Sequence, residues 1–99
     1  MASQSCIPML KALADGTRWR IVRALLRESL TVGEITGRLK HSQYNISKHL
    51  RILRKAGIVE SEKHGKQVEC RIVPAFRKRL ARNQNTLDLG CCTFRFDQP

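Results

Sequence analysis

The hydrophobic period of this chain changes once. Up to Gly57 the apolar residues recur at helical spacing; beyond it they alternate. Start and stop signals cut the first part into short pieces. Pro8 suits the first turn of a helix, and Ile7, Leu10, Leu13 and Ala14 share one face of it. Asp15 is placed to cap a second helix, from Thr17 to about Glu28, with Trp19, Val22, Leu25 and Leu26 as its stripe. Thr31-Val32-Gly33-Glu34 has the form of a capping box and opens a short third helix holding Ile35 and Leu39. Lys40-His41 is then a turn. Ser42 caps a fourth helix whose inward stripe is Ile46, Leu50 and Leu53. Gly57 stops it in the left-handed conformation that glycine adopts without strain.

The alternating part, GIVESEKHGKQVECRIV, predicts a hairpin turning at His64-Gly65. In its return strand Val68, Cys70 and Ile72 face inward, and Cys70 is a core residue. Pro74 opens a last helix with Phe76 and Leu80 on one side, and Leu87-Asp88-Leu89-Gly90 is a final turn. Cys92, Phe94 and Phe96 alternate with Thr93, Arg95 and Asp97 as a short strand. The expected fold is mainly α with a small β-hairpin, in the order α-α-α-α-β-β-α. A short helix turning into a second, polar-faced helix, followed by a hairpin, is a winged helix-turn-helix. Residues 1–90 form this domain with terminal dimerisation helices, and 91–99 form a tail carrying Cys91 and Cys92.

Charge narrows the partner. Lys and Arg number 19 against 8 acids, a net +11 in 99 residues, so the domain attracts polyanions. No apolar run approaches the roughly 20 residues of a spanning helix, and MASQSCIPMLKALADG lacks a signal-peptide pattern. No membrane association is expected, and a cytoplasmic location is. With Ile46, Leu50 and Leu53 inward, the opposite arc of the fourth helix carries Gln43, Tyr44, Ser47, Lys48 and Arg51. These types suit a major groove: Gln pairs bidentately with adenine, Arg and Lys take guanine or phosphate, and Ser serves either. Ser42 stands at the helix N-terminus, where free N–H groups favour phosphate. Lys63, His64 and Lys66 give the wing its basic tip. The alternative reading of the arc is an ordinary solvated face. His49 lies at the edge of the inward stripe and is expected to be a hydrogen-bonded packing residue. No nucleophile–base set or glycine-rich phosphate loop is present, so an enzyme is not expected.

The segments LKALADGTRWRIVRALL, LTVGEITGRL, SQYNISKHLRILRKAGIV and GKQVECRIV resemble the ArsR/SmtB family of winged-helix bacterial repressors, over about residues 9 to 73. The resemblance implies a homodimer pairing the first and last helices. It implies a double-stranded DNA operator met by Gln43, Tyr44 and Ser47, and release by an inducer, often a metal ion or arsenite. Two family patterns are missing. The third helix and its approach hold no thiol, and residues 74–85 hold no Asp, Glu or His. Of the four cysteines, none forms a CxxC, and Cys91-Cys92 resembles the C-terminal thiol pairs of some arsenite-responsive members. The third thiol downstream is missing; Cys6 could supply it across the dimer, giving a trigonal thiolate site for arsenic(III) or another soft ion. No cofactor is required. The alternatives are that Cys92 packs with Phe94 and Phe96 (cysteine is often buried), that the regulator senses redox state or a protein instead, or that the winged helix contacts protein or RNA.

Overall fold

Three side-chain caps start three helices as the residues dictate. The structure is a computed structural model that describes residues 2–79, 86–89 and 92–95, with the backbone alone for 2–6 and 94. Asp15 accepts from the Thr17 and Arg18 N–H groups and opens α2 (Gly16–Arg27); α1 (Ala2–Leu13) precedes it. Thr31 and Glu34 close a reciprocal capping box at the start of α3 (Val32–Leu39). Ser42 Oγ accepts from the Asn45 N–H at 3.1 Å and opens α4 (Gln43–Lys55). The α3–α4 turn passes through Lys40 in the left-handed region, at φ 58°. α4 ends in a Schellman motif. Ile58 N–H donates to the Leu53 carbonyl and Gly57 N–H to that of Arg54, with Gly57 at φ 80°.

β2 (Val59–His64) and β3 (Gln67–Ile72) form the hairpin. It turns at Gly65-Lys66, one residue later than expected, because His64 still pairs with Gln67 in the ladder. Gly65 takes a positive φ of 62°, as the first central residue of a II′ turn requires. A third strand joins them. β1 (Leu30–Thr31) pairs antiparallel with β3, Leu30 opposite Cys70, so the sheet order is β1-β3-β2.

The core sits between α2, α3, α4 and this sheet. Ile21, Val22, Leu25, Ile35, Ile46, Leu50, Leu53, Ile58 and Cys70 are buried in it. A fully buried Ile or Leu contributes roughly 1.5–3 kcal/mol, which makes this cluster the main stabilising term.

Three further expectations are corrected. α1 runs through Pro8 instead of starting there, since residues 2–7 contain no breaker of their own. The described last helix, α5, is only Pro74–Arg77, and Phe76 is fully buried in the chain's own core. Phe76 is therefore not free to meet a partner; Leu80 lies outside the described residues. Leu13 is buried as well, while Ile7 of α1 is half exposed. Finally, Leu87-Asp88-Leu89 is no turn. Thr86–Asp88 is strand β4, paired antiparallel with β5 (Thr93–Arg95), Leu87 opposite Phe94. Alternation buries Leu87 and Leu89 and exposes Asp88, which a turn would not do. The expected strand in the tail is present as β5, and the β4–β5 pair spans the place where the tail was expected to begin. No helix among the described residues is long and apolar enough to cross a membrane.

Candidate nucleic-acid interface

α4 places the polar arc on the outside. Ile46, Leu50 and Leu53 are buried, while Gln43, Tyr44, Ser47, Lys48 and Arg51 are all exposed. Tyr44, Lys48 and Arg51 follow the i, i+4, i+7 row opposite the core; Gln43 and Ser47 flank it at i, i+4. Tyr44 is 76 % exposed, an unusual surplus of aromatic surface for a helix that buries nothing on that side. Ser42 Oγ accepts the cap bond from the Asn45 N–H, which orients the helix end and leaves its O–H as a donor. The exposed Asn45 beside Tyr44 belongs to the same outward surface, and sequence reasoning missed it.

Two polar joints hold α4 in place. Arg18 Nη1 donates to His49 Nδ1 at 3.2 Å, and arginine has no acceptor, so the imidazole must accept there. The same guanidinium donates to the carbonyls of Ala12 at 2.6 Å and Lys11 at 3.4 Å. Asp15 lies 4.0 Å from both Arg18 and His49. His49 is thus the hydrogen-bonded packing residue expected of it, and Arg18 ties α1 and α2 to α4. At the other end Arg54 Nη1 donates to Ser61 Oγ at 3.3 Å, and that hydroxyl donates to Cys70 Sγ at 3.6 Å. This chain links the last turn of α4 to the wing. Burial pushes the Cys70 thiol pKa up, against smaller opposing effects of Ser61 and Arg54, so it stays protonated.

The wing is less basic than its lysines suggest. Lys63, His64 and Lys66 are exposed near its tip. One face, however, carries Glu60, Glu62 and Glu69 around Arg71, at 2.8, 3.0 and 3.8 Å. His64 Nε2 lies 3.5 Å from Glu69 and 3.9 Å from Glu62, so this ring turns toward carboxylates. Lys63, on the opposite face, and Lys66, in the turn, are the wing cations outside that cluster. The alternation of β2 and β3 already separates these faces in the sequence; the pairing register that brings the carboxylates together was not read from it.

The thiols expected to bind a soft ion are not assembled by what is described. Cys91 and the Cys6 side chain lie outside the described residues, and Cys92 is partly buried against the core. Among the described residues no three His, Cys, Asp or Glu side chains could hold a metal ion.

A capped helix pair with an outward polar arc and a hairpin beside it defines a winged helix-turn-helix, and the comparisons agree. Residues 15–61 match the family described as bacterial regulatory protein, arsR family. The transcriptional activator HlyU of Vibrio cholerae is 39 % identical over 66 residues, 67 % of this chain and 61 % of that protein. Its solved structure superposes with a TM-score of 0.69 at 37 % identity, over 72 % of this chain and 77 % of the other. The arsenical resistance operon repressor of Escherichia coli K12 is 43 % identical over 70 residues, 69 % of this chain and 59 % of that one. The homodimeric winged helix-turn-helix DNA-binding domain Mb0332 of Mycobacterium bovis superposes with a TM-score of 0.69 at 26 % identity, covering 73 % and 67 % of the two chains. This chain belongs to the ArsR family. It spans about three-fifths of the length of the two curated relatives named here. Those relatives are regulators of transcription, not enzymes.

Proposed function

We propose that the chain is a homodimeric transcriptional repressor that reads an operator in double-stranded DNA through α4. The observation that carries this is the exposed arc of Gln43, Tyr44, Ser47, Lys48 and Arg51 on a helix anchored at both ends. Side chains on a rigid helix can discriminate bases, and Lys63 and Lys66 supply phosphate contacts at the wing tip. The homodimeric state of the Mb0332 domain and the repressor role of the Escherichia coli relative support the dimer and the repression. Two-fold symmetry then calls for a pseudo-palindromic operator with half-sites about 34–36 Å apart, or a multiple of that. The decisive experiment selects bound duplexes from a random pool. A single palindromic consensus is expected; an unenriched pool, or equal binding of RNA, would defeat the reading.

The inducer belongs to the same proposal. Cys91, Cys92 and the partner's Cys6 would form a trigonal thiolate site for arsenic(III), and arsenite would lower operator affinity. Support comes from the adjacent thiols and from the arsenical resistance named in the Escherichia coli relative. Cys91→Ser and Cys92→Ser should each abolish the arsenite response and leave affinity without arsenite unchanged. A full response in the double variant rules the site out.

A further inference from the structure

α1 and α4 leave a groove between them that the DNA reading does not use. It holds about 260 Å³. Pro8 and Ala12 from α1 and Ile52 and Ala56 from the end of α4 give it apolar walls. Ile52 lies off the buried stripe of α4 and is 37 % exposed, so it presents apolar surface that the core does not take up. Among the described residues, every charged one lining the groove is a cation: Lys11, Arg18 and Lys55. Lys11 and Lys55 are exposed, and no ion pair engages either among the described residues. Arg18 is mostly buried, and its three hydrogen bonds to Ala12, Lys11 and His49 leave two of its five N–H groups.

We propose that this groove is a binding site for an amphiphilic organic monoanion, a carboxylate on an apolar body of medium length. The apolar body would cover Ile52 and Pro8, and the carboxylate would lie among Lys11, Lys55 and Arg18. Covering the apolar walls expels water and strengthens the ammonium–carboxylate attraction, which is weak on an open surface. Charge complementarity selects the occupant: an acidic head finds the two unpaired ammoniums of Lys11 and Lys55 beside Arg18, whose own counter-ion is Asp15 at 4.0 Å, and a cationic head finds no acid lining the groove among the described residues. The site also touches the Arg18 joint. A ligand there contacts the residue that ties α1 to His49 of α4, so it can bias the angle of that helix.

Octanoate is the probe, with octan-1-ol as its neutral counterpart. Both are titrated into the full chain without DNA and followed by amide chemical shifts. Octanoate should saturate at roughly millimolar concentration or tighter, the range open to a ligand of its size. The shifts should centre on Ala12, Ile52 and Ala56. Octan-1-ol should bind about tenfold more weakly, as should octanoate to the Lys11→Gln, Lys55→Gln double variant, since charge-assisted hydrogen bonds are lost. Ile52→Glu, a surface substitution, should abolish binding while the spectrum stays dispersed. Equal binding of acid and alcohol, shifts centred elsewhere, or undiminished binding to Ile52→Glu would each overturn the proposal. So would a wild type that fails to bind octanoate but whose sedimentation mass drops on Ile52→Glu, because a second copy then fills the groove. The assay contains no DNA, so its failure leaves the operator reading standing, and an operator failure leaves this one.

Discussion

Lys40 sits at φ 58° in the turn between α3 and α4, a conformation that costs an L-residue about 1–2 kcal/mol. Glycine would remove the strain but loosen the unfolded chain by about 0.4–1 kcal/mol. Lys40→Gly should therefore stabilise the fold by about 0.5–1 kcal/mol, seen as a higher urea midpoint at unchanged slope. Asp15 gives a pH-dependent counterpart. The backbone N–H bond from Arg18, opposed by partial burial and helped by the Arg18 charge, holds its carboxyl below the ordinary value of 3.8. A depressed folded pKa stabilises above the unfolded value and loses that contribution as pH falls through the folded one. The wild type should thus lose stability below pH 3.8 more steeply than Asp15→Asn, which keeps a cap but cannot titrate; parallel denaturation curves at pH 5 and pH 3 for the two proteins would contradict this. The caps were legible from the sequence because their partners lie two or three residues away. The Arg18–His49 joint was only half legible: the edge position of His49 announced a hydrogen bond, but its donor stands 31 residues back, and spacing carries no information at that range.

α4 is bounded by two local devices, and each can be tested separately. A Cβ at Gly57 would meet nothing within 4 Å, so Gly57→Ala isolates the conformational cost of φ 80° and should destabilise by about 1 kcal/mol. Reading and attraction should also separate by element. Gln43→Ala or Ser47→Ala should reduce the preference for operator over random DNA, by roughly 1–3 kcal/mol where a bidentate base contact is lost. Lys63→Ala or Lys66→Ala should weaken both DNAs alike and flatten the salt dependence. If Gln43→Ala spared the preference while Lys66→Ala destroyed it, α4 would not be the reading helix. Elements with several turns of regular period were visible in the sequence. β1 was not, because two residues, one of them a helix cap, show no period; the Leu87-Asp88-Leu89 alternation was only one residue longer and was read as a turn.

One α4 of 13 residues is about 20 Å long and occupies one groove, so an operator of two half-sites needs two copies of the chain. With Phe76 and Leu13 buried internally, the apolar surface left for pairing at α1 centres on Ile7, 52 % exposed. If the chain is the proposed dimer, Ile7→Asp should shift its mass toward the monomer in sedimentation at micromolar concentration; a dimer unchanged by it would place the interface elsewhere.

β1 has a further effect on the molecule as a whole. Its pairing of Leu30 with Cys70 and Thr31 with Glu69 closes the chain around α3, α4 and β2. These elements cannot open far without pulling β1 from β3, which ties a set of local structures to one contact of high sequence separation. In native-state amide exchange, the slowest amides of α3, α4 and β3 should therefore open with one common free energy. Leu30→Ala should lower all three by the same amount, within the roughly 2–5 kcal/mol that a buried Leu→Ala change costs. If α4 kept its protection while β3 lost it, α4 would be a separate folding unit. If they fall together, weakening this two-residue strand disorders the outer face of α4 even though neither of its residues lies on it.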